Sequence, residues 1–189
     1  MTDTTASLKT AVLVGSLRRD SNARKIAKIA MGMLPAGHHA EIVEIGHLPL
    51  YNADFDDPDA HWAPRPDSYE HFRDAIRSAH GVFIVTPENN RCIPACLKNA
   101  VDIGSKPTGE AVWMNKPVGI VSHSVGRMGG YSSQKNLRLA LSYFDMPMLG
   151  QPEVFLGQSD RLLPDLPHDT AEFLGRYVQR YATLVEKHA

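Results

Sequence analysis

The chain has 189 residues, 43% of them hydrophobic, and carries 20 Lys plus Arg against 21 Asp plus Glu. That length accommodates one domain, spanning 1–189, with a substantial core, and the composition excludes disordered and collagen-like classes. The even charge balance offers no strongly basic face for nucleic acid, and no apolar run reaches the length of a membrane span.

Residues 1–7 are short and polar and lack the basic and apolar regions of a secretion signal, so they read as a flexible tail on a cytoplasmic protein. Residues 11–14 read as a buried strand. Ala23, Ile26, Ala27 and Ala30 then mark one helical face, with Arg24, Lys25 and Lys28 turned away and Ser21 or Asn22 as the N-cap. Residues 40–45 read as a second strand, interrupted by Glu41 and Glu44 as an edge strand is. A Pro- and Asp-rich stretch, 46–67, reads as a long surface loop over one end of the sheet. Tyr69, Phe72, Ile76 and Ala79 mark a second helix, 81–85 a third strand, and Ile93, Cys96, Leu97 and Ala100 a third helical face. Residues 118–121 form the fourth strand. Leu137, Ala140, Leu141 and Phe144 mark the fourth helix, 154–156 the fifth strand, and Leu174, Tyr177, Val178 and Tyr181 the last helix.

Strands alternating with helices imply an α/β doubly wound parallel sheet covered on both faces. The order 2-1-3-4-5 places strand 2 at an edge, where Glu41 and Glu44 belong. Ligands of such sheets bind beyond the carboxyl ends of the strands at the switch point. Three polar or glycine-rich segments therefore converge there, 15–22, 87–92 and 122–130. In the first, "GSLRRDS" couples a tight turn at Gly15 with the hydroxyls of Ser16 and Ser21, the charge of Arg18 and a helix N-terminus, a set of donors suited to a phosphate. Neither a Gly-x-x-x-x-Gly-Lys nor a Gly-x-Gly-x-x-Gly follows strand 1, so triphosphate and dinucleotide cradles are excluded.

"GSLRRDS", "TPENNRCIPACLKNAVD" and "SHSVGRMGGYSSQKNLR" resemble the three signature segments of the NADPH-dependent FMN reductases, which include bacterial chromate, quinone and azo-dye reductases. The resemblance runs from about residue 9 to about residue 157. It implies a flavodoxin-like fold, bound FMN, NADPH or NADH as donor, a small-molecule electron acceptor (flavin, quinone, azo dye or metal oxyanion), and a homodimer or dimer of dimers. By resemblance, Ser16, Arg18, Ser21 and Asn22 hold the FMN phosphate. Pro87, Glu88, Asn89 and Asn90 line the isoalloxazine ring, and Ser124, Gly126 and Gly129 border it from the other side. A flat ring needs close backbone approach, which Pro87 and the glycines 126, 129 and 130 suit. Hydride transfer then belongs to the cofactor, and no side chain is nominated as catalytic acid or base. This chain has Asn89 where the family has Tyr in "PEYN", Cys92 where Ser is common, Ile103 where Trp is common, and Asn22 and Ala23 where an apolar and then a polar residue follow the serine.

Cys92 and Cys96 stand four apart, outside the C-x-x-C spacing of thiol redox motifs, and read as structural. The nine histidines are scattered and define no metal site; His123, in the third segment, reads as a surface residue that could also meet substrate. Ile93, Ala95 and Ile103 exceed one buried helical face and point to a subunit contact on that helix. The rival readings are a flavodoxin-type electron carrier and a flavin-binding sensing subunit. Near-neutral charge and the arginines 18 and 19 favour the enzyme.

Overall fold

Successive side chains of a strand point to opposite faces, and the core divides accordingly. Along β1 (Leu8–Val14), Ala11 and Leu13 enter one apolar cluster while Val12 and Val14 enter the other. β3 (Gly81–Pro87) repeats the division, with Val82 and Ile84 on the first side and Phe83 and Val85 on the second. With β2 (His38–Ile42), β4 (Val118–His123) and β5 (Val154–Leu156) these strands form a five-stranded parallel sheet in the order β2-β1-β3-β4-β5. The computed structural model describes residues 7–189; the expected tail lies outside the described residues except for Ser7.

The first cluster is completed by α2 (Asp67–Arg77), α3 (Ala95–Gly104) and α4 (Tyr131–Ser142), the second by α1 (Asn22–Met31) and α6 (His168–Glu186). β5 is short and leaves part of β4 without a strand partner on that side. There the backbone N–H of Ile120 donates to the buried Tyr177 hydroxyl at 2.7 Å, and burial pushes that phenol up to about 12. The sheet's buried polar groups are thus met from α6 where the ladder stops.

Several sequence-based boundaries are corrected. β1 begins at Leu8 and β3 runs on to Pro87. β2 is His38–Ile42, not 40–45, because Gly37 turns the chain at φ +86° and its carbonyl accepts from Leu8 N–H, which sets the register. Glu44 then leaves the sheet and pairs with Arg24 through two hydrogen bonds of 2.8 and 2.7 Å, which hold its carboxyl below the ordinary range. On α3 the buried face is Leu97, Ala100, Val101 and Ile103, while Cys96 is half-buried. Of the apolar residues expected at a subunit contact, Ile103 is fully buried in the core, whereas Ile93 is half-buried and Ala95 exposed. A short helix, α5 (Ser159–Leu162), and a 3-10 turn (Ala53–Asp56) lie in stretches with no helical periodicity.

The long loop after β2 is held by charge. Arg73 of α2 is fully buried, donates to both carboxylate oxygens of Asp56 at 3.0 and 2.7 Å, and reaches the carbonyl of Ile103 at 3.0 Å. Arg65 reaches the same aspartate at 3.1 Å. Higher in the loop, Tyr51 N–H donates to Asn99 of α3, and Tyr69 donates to the carbonyls of Pro49 and Leu50. Tyr51 therefore anchors the loop, whereas Trp62 at its far end is 76% exposed. Truncating one partner of a buried ion pair strands the other charge, so Asp56→Ala is expected to cost about 3 kcal/mol. Glu70, which also pairs with Arg73 but is 42% exposed, should cost less than about 1 kcal/mol as Ala. Urea denaturation of the two variants checks the ranking; equal losses would contradict it.

Candidate active site

The loops that follow β1, β3 and β4 meet at the carboxyl edge of the sheet. Gly15 N–H donates to Val85 O of the neighbouring strand at 2.9 Å, and a Cβ there would lie 3.2 Å from Pro87 Cδ and Thr86 Oγ1. Its requirement is this close approach to β3 and not a left-handed turn. The chain then passes through Ser16, Leu17, Arg18, Arg19 and Asp20, all but Ser16 exposed, to the buried Ser21. Ser21 is the N-cap: its hydroxyl accepts from Arg24 N–H at 3.1 Å. The first-turn N–H groups of Asn22 and Ala23 take no partner among the described residues, as at any helix start. Arg18 has no carboxylate partner among them either; its own N–H contacts Ser16 Oγ at 3.4 Å. Unmet backbone donors, a hydroxyl and an unpaired guanidinium are the chemistry that a phosphate monoester requires, so this loop fits the FMN phosphate.

The loop after β3 is a two-residue hairpin. Asn89 and Cys92 exchange backbone hydrogen bonds of 3.1 and 2.9 Å, with Asn90 at φ +50° and Arg91 at φ +65°. Both central residues are left-handed, the pattern of a type I′ turn. The Asn89 N–H is therefore committed within the turn. Glu88 is turned away from the open side: its Oε2 accepts from the N–H groups of Ser132 and Ser133 at 2.9 and 3.3 Å, at the start of α4. Its side chain caps a helix, and its contribution to a ring is left to the backbone. Cys92 is exposed at the turn's end.

The loop after β4 is stitched to β5 and α5. Ser124 N–H donates to Leu156 O, Gln158 N–H to Gly126 O, and Ser159 N–H to Ser124 O, at 2.9 to 3.1 Å. Gly129 and Gly130 are left-handed, at φ +61° and +79°. A Cβ at Gly129 would lie 2.6 Å from Phe155 C, and one at Gly130 would lie 2.9 Å from His123 O. These two glycines serve the loop's seating on the sheet; Gly126 borders open space. Beneath the loops lies a fully buried polar layer, in which Thr86 contacts Ser133 at 3.2 Å and Gln134 donates to Ser122 at 3.1 Å and to Val154 O at 2.9 Å. This layer was missed in the sequence, although polar residues at the ends of apolar strands were its visible sign.

His123 is not a surface residue. It is 6% exposed, and its Nδ1 lies 3.0 Å from Ser159 Oγ, which accepts from Asn22 Nδ2 at 3.2 Å. Asn22 is thus the first residue of α1 and faces inward, where it joins a buried polar chain. Nε2 of His123 is buried and has no hydrogen-bond partner among the described residues. Protonation would leave a charge in an apolar setting, and burial pushes the imidazole down to about 4. No cluster of metal-ligating side chains occurs among the described residues, and no helix among them is long and apolar enough to cross a membrane.

The family model for NADPH-dependent FMN reductases matches residues 8–161. The chain is 43% identical over 179 residues to a quinone reductase of Pseudomonas putida, covering 93% of this chain and 94% of that one. It is 37% identical over 183 residues to a 2-hydroxy-1,4-benzoquinone reductase of a Burkholderia species, covering 95% and 97%. Among solved structures, FerB of Paracoccus denitrificans, a flavoenzyme NAD(P)H:(acceptor) oxidoreductase, superposes with a TM-score of 0.86 at 31% identity, covering 96% of this chain and 98% of FerB.

The unfolded chain protonates His123 near its ordinary 6.5, but the folded protein does so only near about 4. Stability is therefore retained above 6.5 and falls between these values as the pH drops, by up to about 1.4 kcal/mol per pH unit. His123→Val should flatten this slope. Denaturation midpoints at several pH values between 7 and 4 check it, and parallel profiles for the two proteins would refute it.

Proposed function

The chain belongs to the NADPH-dependent FMN reductase family, and on that premise we propose that this FMN- and NAD(P)H-dependent oxidoreductase is a quinone reductase. What supports the reading most is the convergence, at one sheet edge, of a loop with unmet donors for a phosphate and two further loops interlocked beside it. Quinones are favoured over azo dyes and metal oxyanions as acceptors because relatives at 43% and 37% identity carry quinone in their names.

When bound, FMN supplies the redox chemistry, accepting hydride from NAD(P)H and passing two electrons to the acceptor. The residues of this chain bind and orient. Ser16, Arg18 and the start of α1 hold the phosphate, Ser21 keeps that helix end in shape, and Asn22 braces it against Ser159. Pro87 and the backbone of Glu88, Asn89 and Asn90 form one wall for the ring; Ser124 and Gly126 form the other, and the buried Gly129 seats that loop on the sheet instead of bordering the ring. No side chain is assigned a proton-transfer role. The reading includes a cytoplasmic location and a homodimer or dimer of dimers. Large apolar side chains left exposed include Val125 and Met128 in the loop before α4, Leu139 on α4 and Tyr143 just after it.

The direct test is anaerobic. Purified protein loaded with FMN should bleach near 450 nm (roughly, the usual flavin maximum) on adding NADPH and recover with 1,4-benzoquinone. Failure to bleach would reject the proposal. Arg18→Ala should weaken FMN binding by about 1.5–3 kcal/mol, the scale of a charge-assisted hydrogen bond, and Arg19→Ala by less. Fluorescence titration of apoprotein decides between them, and equal effects would count against the phosphate assignment.

Donor and acceptor are expected to use one place in turn, which gives parallel double-reciprocal lines in steady-state kinetics. Asn89→Tyr narrows that place and should lower kcat/KM for bulky quinones more than for small ones. The rate of bleaching by NADPH should change by less than about tenfold. Intersecting lines, or an unchanged acceptor profile, would show that the place is not shared or that residue 89 does not border it.

A further inference from the structure

α4 begins behind two left-handed glycines, and its own N-cap position, Gly130, has no side chain to accept the first-turn N–H groups. The acceptor comes from 44 residues earlier in the chain, where Glu88 Oε2 receives the N–H groups of Ser132 and Ser133. The Glu88 side chain is 12% exposed, so the bond is largely shielded from water. A second tie joins the same two elements: Asn136, one turn further along α4, donates through Nδ2 to the carbonyl of Arg91 at 3.1 Å. Arg91 is a central residue of the type I′ turn, so the hairpin is gripped at its start and at its tip.

From this geometry we infer that Glu88 is a positioning residue for the flavin ring: it sets the separation of the hairpin after β3 from the loop after β4. The inference rests on the reading of these two loops as the walls of the FMN ring site. The last rung of the β3–β4 ladder, Pro87 with His123, joins the bases of the two loops; beyond it the loop after β4 is fastened on its far side, to Leu156, Gln158 and Ser159. Beyond that rung the hairpin is held to α4 by Glu88 and Asn136, and the start of α4 also meets β3 where Thr86 contacts Ser133. A carboxylate suits the task because one oxygen can accept from both N–H groups and its charge matches the positive end of the helix. The two methylenes between its backbone and the carboxylate set the span, and aspartate is one methylene short of it.

Four variants test the assignment: Glu88→Gln, Glu88→Asp, Glu88→Ala and Asn136→Ala. Each is unfolded, refolded with and without FMN, and titrated with FMN as apoprotein, and the visible circular dichroism of the bound flavin is recorded. Loss of a charge-assisted cap should weaken FMN binding in Glu88→Ala by about tenfold or more. Glu88→Asp should behave like Glu88→Ala, Glu88→Gln should recover most of the affinity because its amide oxygen still accepts, and Asn136→Ala should weaken binding less. The visible dichroism should change in the Ala and Asp variants and return toward wild type in Gln, which a general loss of stability would not produce. Folded Asp and Ala variants that bind FMN within about twofold of wild type, with an unaltered spectrum, would overturn the inference. If Glu88→Ala does not fold, Glu88→Asp and Asn136→Ala decide by the same criteria. Wild-type protein that binds no FMN would instead remove the reading on which the inference rests.

Discussion

Where parallel strands end, their last amides and carbonyls lose the ladder that satisfied them, and everything at the carboxyl edge of this sheet is arranged around that shortage. Gly15 borrows Val85 O, Ser124 borrows Leu156 O, Ser122 donates to Gly129 O, and Gln134 reaches from α4 to Val154 O. Glu88 does the same for the start of α4. With these groups met, the loop after β1 and the first turn of α1 keep free donors beside the exposed Arg18. A ligand rich in acceptors is therefore suited to that end of the site, while the hairpin's Asn89 and Cys92 are committed to each other.

The two faces of the sheet are held differently. On the side of α1 and α6 the packing is apolar and aromatic, with Phe83 edge-on to Tyr177 and Tyr181 at 6.2 and 5.1 Å between ring centroids, and with the phenol oxygens turned to Ile120 and Thr10. On the side of α2, α3 and α4 a fully buried arginine stands within the core. Arg73 is tolerated there because Asp56, Glu70 and a carbonyl meet its donors, and the consequence is structural. A loop with no periodic apolar pattern is fastened to α2 and thereby to the edge of the site.

His123 illustrates how the same position reads differently along the chain and in space. In sequence it stands in a glycine-rich polar segment, which points to a surface. In the fold it is the last residue of β4, pairs in register with Pro87 and Leu156, and turns to the side of the sheet where α1 begins. Burial and the single tie through Ser159 keep the imidazole neutral. Asn22, one of the places where this chain departs from the family pattern, is the other end of that chain of bonds.

Hydrophobic periodicity determined the five strands and the main helices, because burial acts locally: a residue's neighbours at spacings of two or of three to four decide which face it shows. The charge of Glu41 likewise marked the edge strand, although Glu44 lies beyond it, and the three polar segments fell at the carboxyl edge of the sheet. What the sequence could not carry was the pairing of groups far apart in the chain. That Glu88 caps α4, that Ser21 rather than Asn22 caps α1, that Asn22 meets Ser159 and His123, and that Ile103 is spent in the core are each decided by which partner the tertiary structure brings within about 3 Å, the range of a hydrogen bond. A hydrogen bond leaves no periodic trace in either of its two segments, so only the folded chain reveals it.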